Sequence, residues 1–226
     1  MDRENKKTKI GFITIGQSPR KDMTDDIFPL LSSAYEVSEI GALDDYSLKD
    51  VNEKFAPQEG DSVLVTKMRS GNQVLIAEKH ILTMLQSAIN KLEEEGNEII
   101  VFLCTGKFPK FDHKGLVITP QDMLQDIAKN ILGDRKLGLI IPDESQSGQI
   151  REWWGNIDLE LEVASPYLGI ENIEKASENL KNKNVDLVFM DCMGYTTAMK
   201  DIVKNITGKK VILPRTLLAR VLNELI

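Results

Sequence analysis

The sequence predicts an α/β protein with parallel sheets, and two features of the chain support this fold class. Short apolar runs alternate with stretches of helical periodicity along most of the chain. Three of the runs, residues 99–103, 137–141 and 185–190, are apolar almost without interruption. Such runs are typical of parallel strands, which are covered on both faces. The chain can supply the core, because 42% of its 226 residues are hydrophobic.

The first half of the chain contains helix starts and a hairpin signal. Ser18 and Pro19 predict the start of the first helix, because serine caps helices well and proline is tolerated at the first helical position. Ser47 and Asp50 predict a second, short helix with a capping box. Gly71 lies between two strand-like runs and indicates a β-hairpin. Strands are predicted at 9–16, 35–41, 61–68, 73–78 and 97–104, and helices at 18–31, 47–55 and 81–95.

The second half repeats this alternation. Its strands are predicted at 115–119, 136–142, 159–165, 185–191 and 209–214, and its helices at 120–132, 149–154, 170–180, 197–206 and 215–226. Each half places a cysteine at the end of a late apolar run, Cys104 in the first and Cys192 in the second. The sequence therefore predicts two α/β halves of related organisation.

Charge and composition argue against several classes of partner. The formal net charge is −7 and no concentrated Lys/Arg face is present, so a nucleic-acid partner is not expected. The first residues, MDRENKKTK, lack the apolar region of a secretory signal, and no run approaches the ~18 apolar residues of a membrane span. Two cysteines in a chain of this length do not make a disulfide framework, so we expect reduced thiols and a cytoplasmic protein.

No metal or cofactor is predicted. His80 and His113 lack companions at the spacing of metal ligands. Gly11 and Gly16 do not complete the GxGxxG fingerprint of dinucleotide binding after the first strand. The pair at 153–154, two tryptophans on a short helix, is expected to pack in the core.

The best candidate site lies at strand ends. Ligands of open parallel sheets bind beyond the carboxyl ends of the strands, where Cys104 and Cys192 are both predicted to lie. If the two halves face each other, one cysteine would remove a proton as thiolate and the other would supply one as thiol. Asp191 beside Cys192 favours the protonated thiol. The loop at 16–22 would hold an anion through helix N–H groups and Arg20.

Structural roles are the alternative for each of these residues. Cysteine is among the most buried residue types, so either thiol would also fit a hydrophobic core. Arg69 and Arg215 are weaker candidates for binding an anion. Asp22 is expected to interact with the dipole of the first helical turn. Tyr195 and Thr196 would either contact a ligand or cap a helix.

Four segments of the chain resemble the AroM family. They are ITIGQSPRKDM (13–23), EKFAPQEGDSVLVTKMRSGNQV (53–74), VDLVFMDCMGYT (185–196) and LPRTLLARVLNELI (213–226). The stretch TIGQSPR is the most specific of them. The AroM family is in turn similar to the aspartate/glutamate racemase superfamily, and this second resemblance carries expectations about fold and chemistry.

The resemblance implies two flavodoxin-like lobes related by a pseudo-two-fold axis, with the C-terminal helix returning to the first lobe. The first lobe would comprise residues 1–106 and 207–226, and the second residues 107–206. The resemblance also implies a site between the lobes that needs no cofactor. There a cysteine from each lobe would handle the proton on opposite faces of a substrate α-carbon.

The chain departs from the superfamily pattern around both cysteines. In similar racemases the first cysteine lies in a Cys-Asn-Thr-Ala stretch, whereas Cys104 is followed here by Thr105 and Gly106. The second lies in a Gly-Cys-Thr-like stretch, whereas Asp191 precedes Cys192 and a methionine follows it. The second change removes a hydroxyl that is often placed to hold the substrate carboxylate.

The sequence thus predicts a cofactor-independent racemase or isomerase of a small carboxylate, with Cys104 and Cys192 as the catalytic residues. The predicted substrate-binding residues lie in loops after strands: Gln17, Ser18, Arg20, Thr105, Gly106, Gly194, Tyr195 and Thr196. One alternative is a non-catalytic protein that binds a carboxylate metabolite or regulates a partner, and another is an interaction protein with cysteines in its core. Homodimers are common among similar proteins, although no interface signature stands out.

Overall fold

The computed structural model describes residues 7–226 and is an α/β protein. Its first elements are β1 (Thr8–Thr14), α1 (Lys21–Ile27), β2 (Tyr35–Gly41), α2 (Leu48–Lys54), β3 (Val63–Lys67), β4 (Gln73–Ala77), α3 (Leu82–Glu94), β5 (Ile99–Phe102), β6 (Leu116–Ile118) and α4 (Pro120–Leu132). The elements that follow are β7 (Leu137–Ile141), α5 (Ser147–Trp154), β8 (Leu159–Val163), α6 (Glu171–Lys181), β9 (Leu187–Met190), α7 (Thr197–Thr207), β10 (Lys210–Ile212) and α8 (Pro214–Leu222).

Two four-stranded parallel sheets have the same strand order. The first sheet runs β2-β1-β5-β6 and the second runs β8-β7-β9-β10. In each sheet the chain starts in an inner strand, moves to one edge, and then crosses back to the other side. The strands β5 and β9 are therefore equivalent, and the residues two positions beyond their ends, Cys104 and Cys192, occupy equivalent places.

A β-hairpin is inserted into the first half of the chain. Its strands β3 and β4 pair in an antiparallel register, and Gly71 in the connection has φ +91°, a conformation that favours glycine. The hairpin contacts the second half, because the amides of Gln146 and Gln149 donate to the Val63 carbonyl at 2.9 and 2.7 Å. Ser165 adds a hydrogen bond to the Gln73 side chain. The hairpin thus bridges the two halves of the molecule.

The largest hydrophobic cluster contains residues from both sheets and from the helices between them. Buried Phe12 of the first sheet and Phe189 of the second belong to it. Helix α8 packs beside α1, and the Tyr35 hydroxyl donates to the Leu222 carbonyl at 2.6 Å. Each leucine or phenylalanine buried here contributes about 1.5–3 kcal/mol relative to an exposed one. The two halves therefore share one core.

The predicted fold class is confirmed, and each of the ten predicted strands is present. The prediction for the start of the first helix is wrong. Helix α1 begins at Lys21, and Arg20 occupies the cap position without a side-chain capping bond. The reason lies in Ser18, whose hydroxyl donates to Asp44 at 2.7 Å and does not cap the helix. The last helix begins at Pro214, as proline's preference for the first turn favours.

Sheet pairing bears on the predicted division of the chain into lobes. Strand β6 lies beyond residue 106 and pairs with β5 in the first sheet. Strand β10 lies beyond residue 206 and pairs with β9 in the second sheet. The division into folding lobes at these boundaries stays a prediction. Within residues 7–226, no helix combines the length and apolar composition that a membrane crossing requires.

Replacement of Leu139, a fully buried residue of the shared core, tests the packing account. The change Leu139→Ala should lower the free energy of unfolding by about 2–5 kcal/mol, because it leaves a cavity as well as losing buried apolar surface. Denaturant unfolding measures the loss. The matched control Leu168→Ala removes a side chain that is 69% exposed and should change stability by no more than about 0.5 kcal/mol. Equal losses in both variants would contradict the assigned core.

Candidate active site between the two sheets

A small cavity lies at the carboxyl ends of strands from both sheets. It is also lined by the hairpin strand β3, by α1 and α5 with the residues that precede them, and by the loop after β8. Its lining residues are Ile15, Arg20, Met23, Leu64, Val65, Thr66, Leu103, Cys104, Thr105, Gly106, Pro142, Gln146, Ile150, Trp153, Tyr167, Asp191, Cys192 and Met193. This is the position at which open α/β sheets bind ligands.

The cavity brings both cysteines together, each as a free thiol that is 8% exposed. The two thiols have the same local hydrogen bond. The Gly106 N–H donates to Cys104 Sγ at 3.2 Å, and the Gly194 N–H donates to Cys192 Sγ at 3.3 Å. Burial raises the pKa of Cys104 to about 12 and that of Cys192 to about 11. The hydrogen bonds from the two glycine N–H groups lower these pKa values, but less than burial raises them. Near neutral pH both groups are therefore thiols.

Gly194 is needed because the loop after β8 approaches the Cys192 loop closely. A Cβ at this position would collide with the Tyr167 hydroxyl and would come within 2.7 Å of the Pro166 ring. Both contacts belong to the segment that closes the cavity on this side. The residue thus shapes the site through its lack of a side chain and does not line the cavity itself.

Asp191 is a further acidic group in the cavity wall, and it is 3% exposed. The Trp154 indole N–H donates to Asp191 Oδ2 at 2.8 Å, whereas Oδ1 has no hydrogen-bond partner within residues 7–226. Burial raises the pKa of Asp191 to about 6, although the side chains of Trp154, Thr105 and Gln121 act to lower it. Sequence reasoning identified Asp191 only through its effect on the neighbouring thiol and missed its place in the cavity.

Arg20 lines the cavity, but its charge is already neutralised. Its Nε and Nη2 donate to the two carboxylate oxygens of Asp22, both at 2.9 Å. Nη2 also donates to the Tyr167 hydroxyl at 3.1 Å, and Nη1 donates to the hydroxyls of Thr14 and Thr66 at 3.4 and 3.3 Å. All five guanidinium N–H groups therefore have acceptors. The guanidinium, predicted to hold a ligand anion, is instead paired within the protein.

Asp22 lies in the first turn of α1, where contact with the helix dipole is expected, and it also forms an ion pair with Arg20. Burial acts to raise its pKa, but the hydrogen bonds and charge of Arg20 lower the pKa of Asp22 below its usual range. The pair thus stays ionised near neutral pH. For Arg20 itself, burial acts to lower the pKa, and Tyr167 and Asp22 together raise it.

Arg215, a weaker anion candidate in the sequence, is fully buried and holds the Cys192 loop in place. Its Nε donates to the Met193 carbonyl at 2.9 Å. Its Nη1 donates to the Asp22 carbonyl at 2.7 Å and to Asp26 Oδ2 at 2.9 Å. Asp26 also accepts two hydrogen bonds from Thr197 at the start of α7. Arg215 therefore fixes the loop after β9 against α1, α7 and α8.

Four predicted ligand-binding side chains have internal partners and do not line the cavity. Gln17 Nε2 donates to the Leu43 and Tyr46 carbonyls at 3.2 and 2.9 Å, and Ser18 is bonded to Asp44. The remaining two lie after Cys192. Tyr195 is buried in the core with its hydroxyl donating to the Ala164 carbonyl at 2.7 Å, and Thr196 caps α7 by accepting from the Met199 N–H at 3.2 Å. Arg69 is bonded to Asp44 at 2.6 Å.

Several cavity residues have no counterpart among the sequence predictions. Tyr167 follows β8 and Gln146 precedes α5, so the rule that ligands bind at strand ends would have found both if applied to every strand. Thr66 comes from the antiparallel hairpin, and no sequence pattern places that hairpin over the cavity. Among the residues that the structure describes, no group of three or more His, Cys, Asp or Glu side chains could hold a metal ion.

Solved structures with this two-lobed α/β fold include three enzymes, each similar to the chain at low sequence identity. Aspartate racemase from Picrophilus torridus is 15% identical over 96% of this chain and 93% of its own, with a TM-score of 0.59. Maleate isomerase Iso from Pseudomonas putida S16 is 12% identical over 96% and 91%, with a TM-score of 0.59. Glutamate racemase isoform RacE1 from Bacillus anthracis is 14% identical over 97% and 82%, with a TM-score of 0.59.

These likenesses establish the two-lobed α/β fold that the chain shares with these enzymes. Comparison with curated protein sequences gives no match. The family model described as AroM protein matches residues 10–226, and the chain belongs to the AroM family.

The Asp191 carboxyl should make stability depend on pH in a predictable direction. Its pKa is higher in the folded protein (about 6) than the ordinary aspartate value of 3.8, so the folded state binds more protons between these values. Stability should therefore fall as pH rises through this window, by up to about 3 kcal/mol from this group. The change Asp191→Asn should remove this loss, so the variant should gain stability relative to wild type from about pH 4 to pH 6.

Unfolding by urea at a series of pH values checks this prediction. The matched control Asp134→Asn alters an exposed carboxyl and should follow wild type at each pH to within about 0.5 kcal/mol. A constant difference in unfolding free energy between wild type and Asp191→Asn across the range would show that Asp191 does not titrate as described.

Proposed function

We propose that the protein is a cofactor-independent racemase or isomerase that acts at the α-carbon of a small carboxylate. The observation that carries this proposal is the presence of two free thiols, from equivalent ends of β5 and β9, in the wall of one cavity. Two proton-transferring groups that approach a carbon from different sheets can exchange its hydrogen with inversion. The fold neighbours, which include two amino-acid racemases and an isomerase, are consistent with this chemistry.

In the proposed reaction, one cysteine acts as thiolate and the other as thiol. The thiolate takes the hydrogen of the α-carbon as a proton and becomes a thiol. The second thiol then gives its proton to the opposite face of the carbon and becomes a thiolate. The charge and the proton count of the site are unchanged after each turnover, and the roles of Cys104 and Cys192 are reversed.

The hydrogen bonds to the two sulfurs support this assignment. The N–H groups of Gly106 and Gly194 stabilise a thiolate on Cys104 and Cys192, respectively, and they are fixed by the backbone before the reaction starts. Burial of both sulfurs opposes ionisation, as their raised pKa values indicate. The active form therefore arises when one of the two thiols loses its proton, either before or during ligand binding.

The second candidate function is non-catalytic binding of a small carboxylate, which was the alternative from the sequence. The neutral state of both thiols and the internal pairing of Arg20 with Asp22 favour it, because neither feature supplies a ready base or a free cation. This candidate predicts binding without exchange of the α-hydrogen. If the thiols also resist alkylation and no anion raises the melting temperature, an interaction protein with core cysteines is the better account.

Four other expectations belong with the proposal and stay predictions. They are a cytoplasmic location with reduced thiols, the absence of a nucleic-acid partner, assembly into a homodimer and the lobe boundaries. Size measurement in solution tests the dimer directly. The location rests on the reasoning from cysteine usage and charge.

Hydrogen exchange at the α-carbon tests the catalytic proposal. Incubation of single enantiomers of amino acids and of 2-substituted carboxylates in D₂O should give deuterium at the α-carbon, visible by proton NMR. Cys104→Ser and Cys192→Ser should each reduce the rate by about 100-fold or more, because each removes one proton-transferring group. Both variants should remain folded, which their melting curves check. Exchange that survives in the double variant would exclude the two-cysteine mechanism.

The rate of this exchange should increase with pH. Because one thiolate is required and the lower thiol pKa is about 11, each pH unit below that value changes the thiolate fraction about tenfold. The logarithm of the rate should rise with a slope of about 1 between about pH 7 and pH 9. A rate that is flat or falls over this range would show that the reaction does not begin with ionisation of a buried thiol.

A further inference from the structure

Asp191 lines the cavity, and one of its carboxyl oxygens makes no hydrogen bond within residues 7–226, although the nearby side chains of Thr105 and Gln121 act to lower its pKa. Its Oδ2 is held by the Trp154 N–H, and its Oδ1 has no partner in the described part of the chain. An ionised carboxylate with an unpaired oxygen is costly in a buried site. A proton on the carboxyl, or a hydrogen-bond donor that reaches Oδ1, removes this cost.

The other acids around Asp191 do nothing to stabilise its ionised form. The thiols of Cys104 and Cys192 lie in the same cavity, and a charge on Asp191 raises the pKa of both. The buried phenol of Tyr195 is affected in the same direction. Tyr167 also lines the cavity, and burial raises the pKa of its hydroxyl. These groups supply no positive charge for a carboxylate at position 191.

The two nearby arginines are committed to other partners. Arg20 is ion-paired with both oxygens of Asp22, and Arg215 donates to Asp26 and to backbone carbonyls. The partly exposed Lys67 lies outside the cavity lining, with its Nζ 4.0 Å from Asp22 Oδ2. An anionic ligand that entered the cavity beside an ionised Asp191 would place two negative charges in a buried space whose lining arginine, Arg20, is already paired. Repulsion of this kind is relieved when one of the two acids takes up a proton.

We propose that Asp191 binds the ligand as a neutral carboxylic acid, in which Oδ1–H donates to a carboxylate oxygen of the ligand. The proton comes from solvent, so one proton is taken up with each ligand when Asp191 is ionised beforehand. The proposal rests on the proposed carboxylate ligand and adds a residue that positions it. The pKa of Asp191, raised by burial to about 6, allows this protonation near neutral pH, and an adjacent carboxylate raises it further.

Calorimetric titration with propionate and succinate tests the proposal between about pH 6.5 and pH 8.5. In the wild-type protein, the dissociation constant should rise about tenfold for each pH unit above 6, because the neutral fraction of Asp191 falls by that factor. Titrations in two buffers of different ionisation enthalpy should give an uptake of about one proton per ligand at the upper end of the range.

Substitutions at position 191 separate the donor role from a general effect on the fold. In Asp191→Asn the amide oxygen can accept from Trp154, and the NH₂ group donates into the cavity at all pH values. This variant should bind with the affinity that wild type approaches at low pH, and without pH dependence. Asp191→Leu should weaken binding at least about tenfold, through loss of a hydrogen bond to a charged group. The exposed control Asp134→Asn should behave as wild type.

Three results would overturn the proposal: proton release or no proton exchange on binding, loss of binding in Asp191→Asn, or no binding of either probe by the wild-type protein.

Alanine and aspartate, the amino counterparts of the probes, complete the test. If they alone bind, with proton release, then Asp191 is an ionised acceptor for the ammonium group. Deuterium exchange is read separately. Exchange without proton uptake leaves the catalytic proposal standing, whereas proton-coupled binding without exchange supports the non-catalytic candidate.

Discussion

Two sheets of identical strand order meet around one cavity, and this arrangement determines where every reactive group of the site lies. Because β5 and β9 are the third strands of equivalent sheets, the loops after them enter the cavity with Cys104 and Cys192 at corresponding positions. The i-to-i+2 hydrogen bond from a glycine N–H to each sulfur repeats this equivalence in the local backbone. Helix α8 and Arg215 then fix the second loop against the first half of the chain, so the relative positions of the thiols depend on packing between the halves.

The same burial that brings the acids together also controls their protonation. Two thiols and one carboxyl share a space in which the single lining arginine already neutralises Asp22. A ligand that brings a negative charge into such a space binds well only if one of the acids there takes up a proton or is already neutral. The chemistry and the ligand affinity of the cavity are therefore coupled through protons. The contacts of Val63 with Gln146 and Gln149 hold the hairpin against the second half of the chain beside this cavity.

Local sequence signals were sufficient for the fold, since buried parallel strands and capped helices depend on short-range patterns. The capping box of Ser47 and Asp50 and the hairpin around Gly71 are examples of such signals, and both are present in the structure. The site was predicted less completely, because a side chain's partner is often distant in sequence. Arg20 meets Asp22 and Tyr167, and Tyr195 meets Ala164, through contacts that strand and helix periodicity does not specify. The hairpin that supplies Thr66 to the cavity is likewise positioned by tertiary packing.

The most direct test of the shared cavity uses the fact that the chain has only two cysteines. Protein labelled with ¹³C at cysteine Cβ gives two resonances, which the single Cys→Ser variants assign. If both thiols face one ligand, both resonances should move when a small carboxylate is added, with the same dissociation constant. Movement of only one resonance, or two different dissociation constants, would show that Cys104 and Cys192 do not serve a common ligand and would contradict the account.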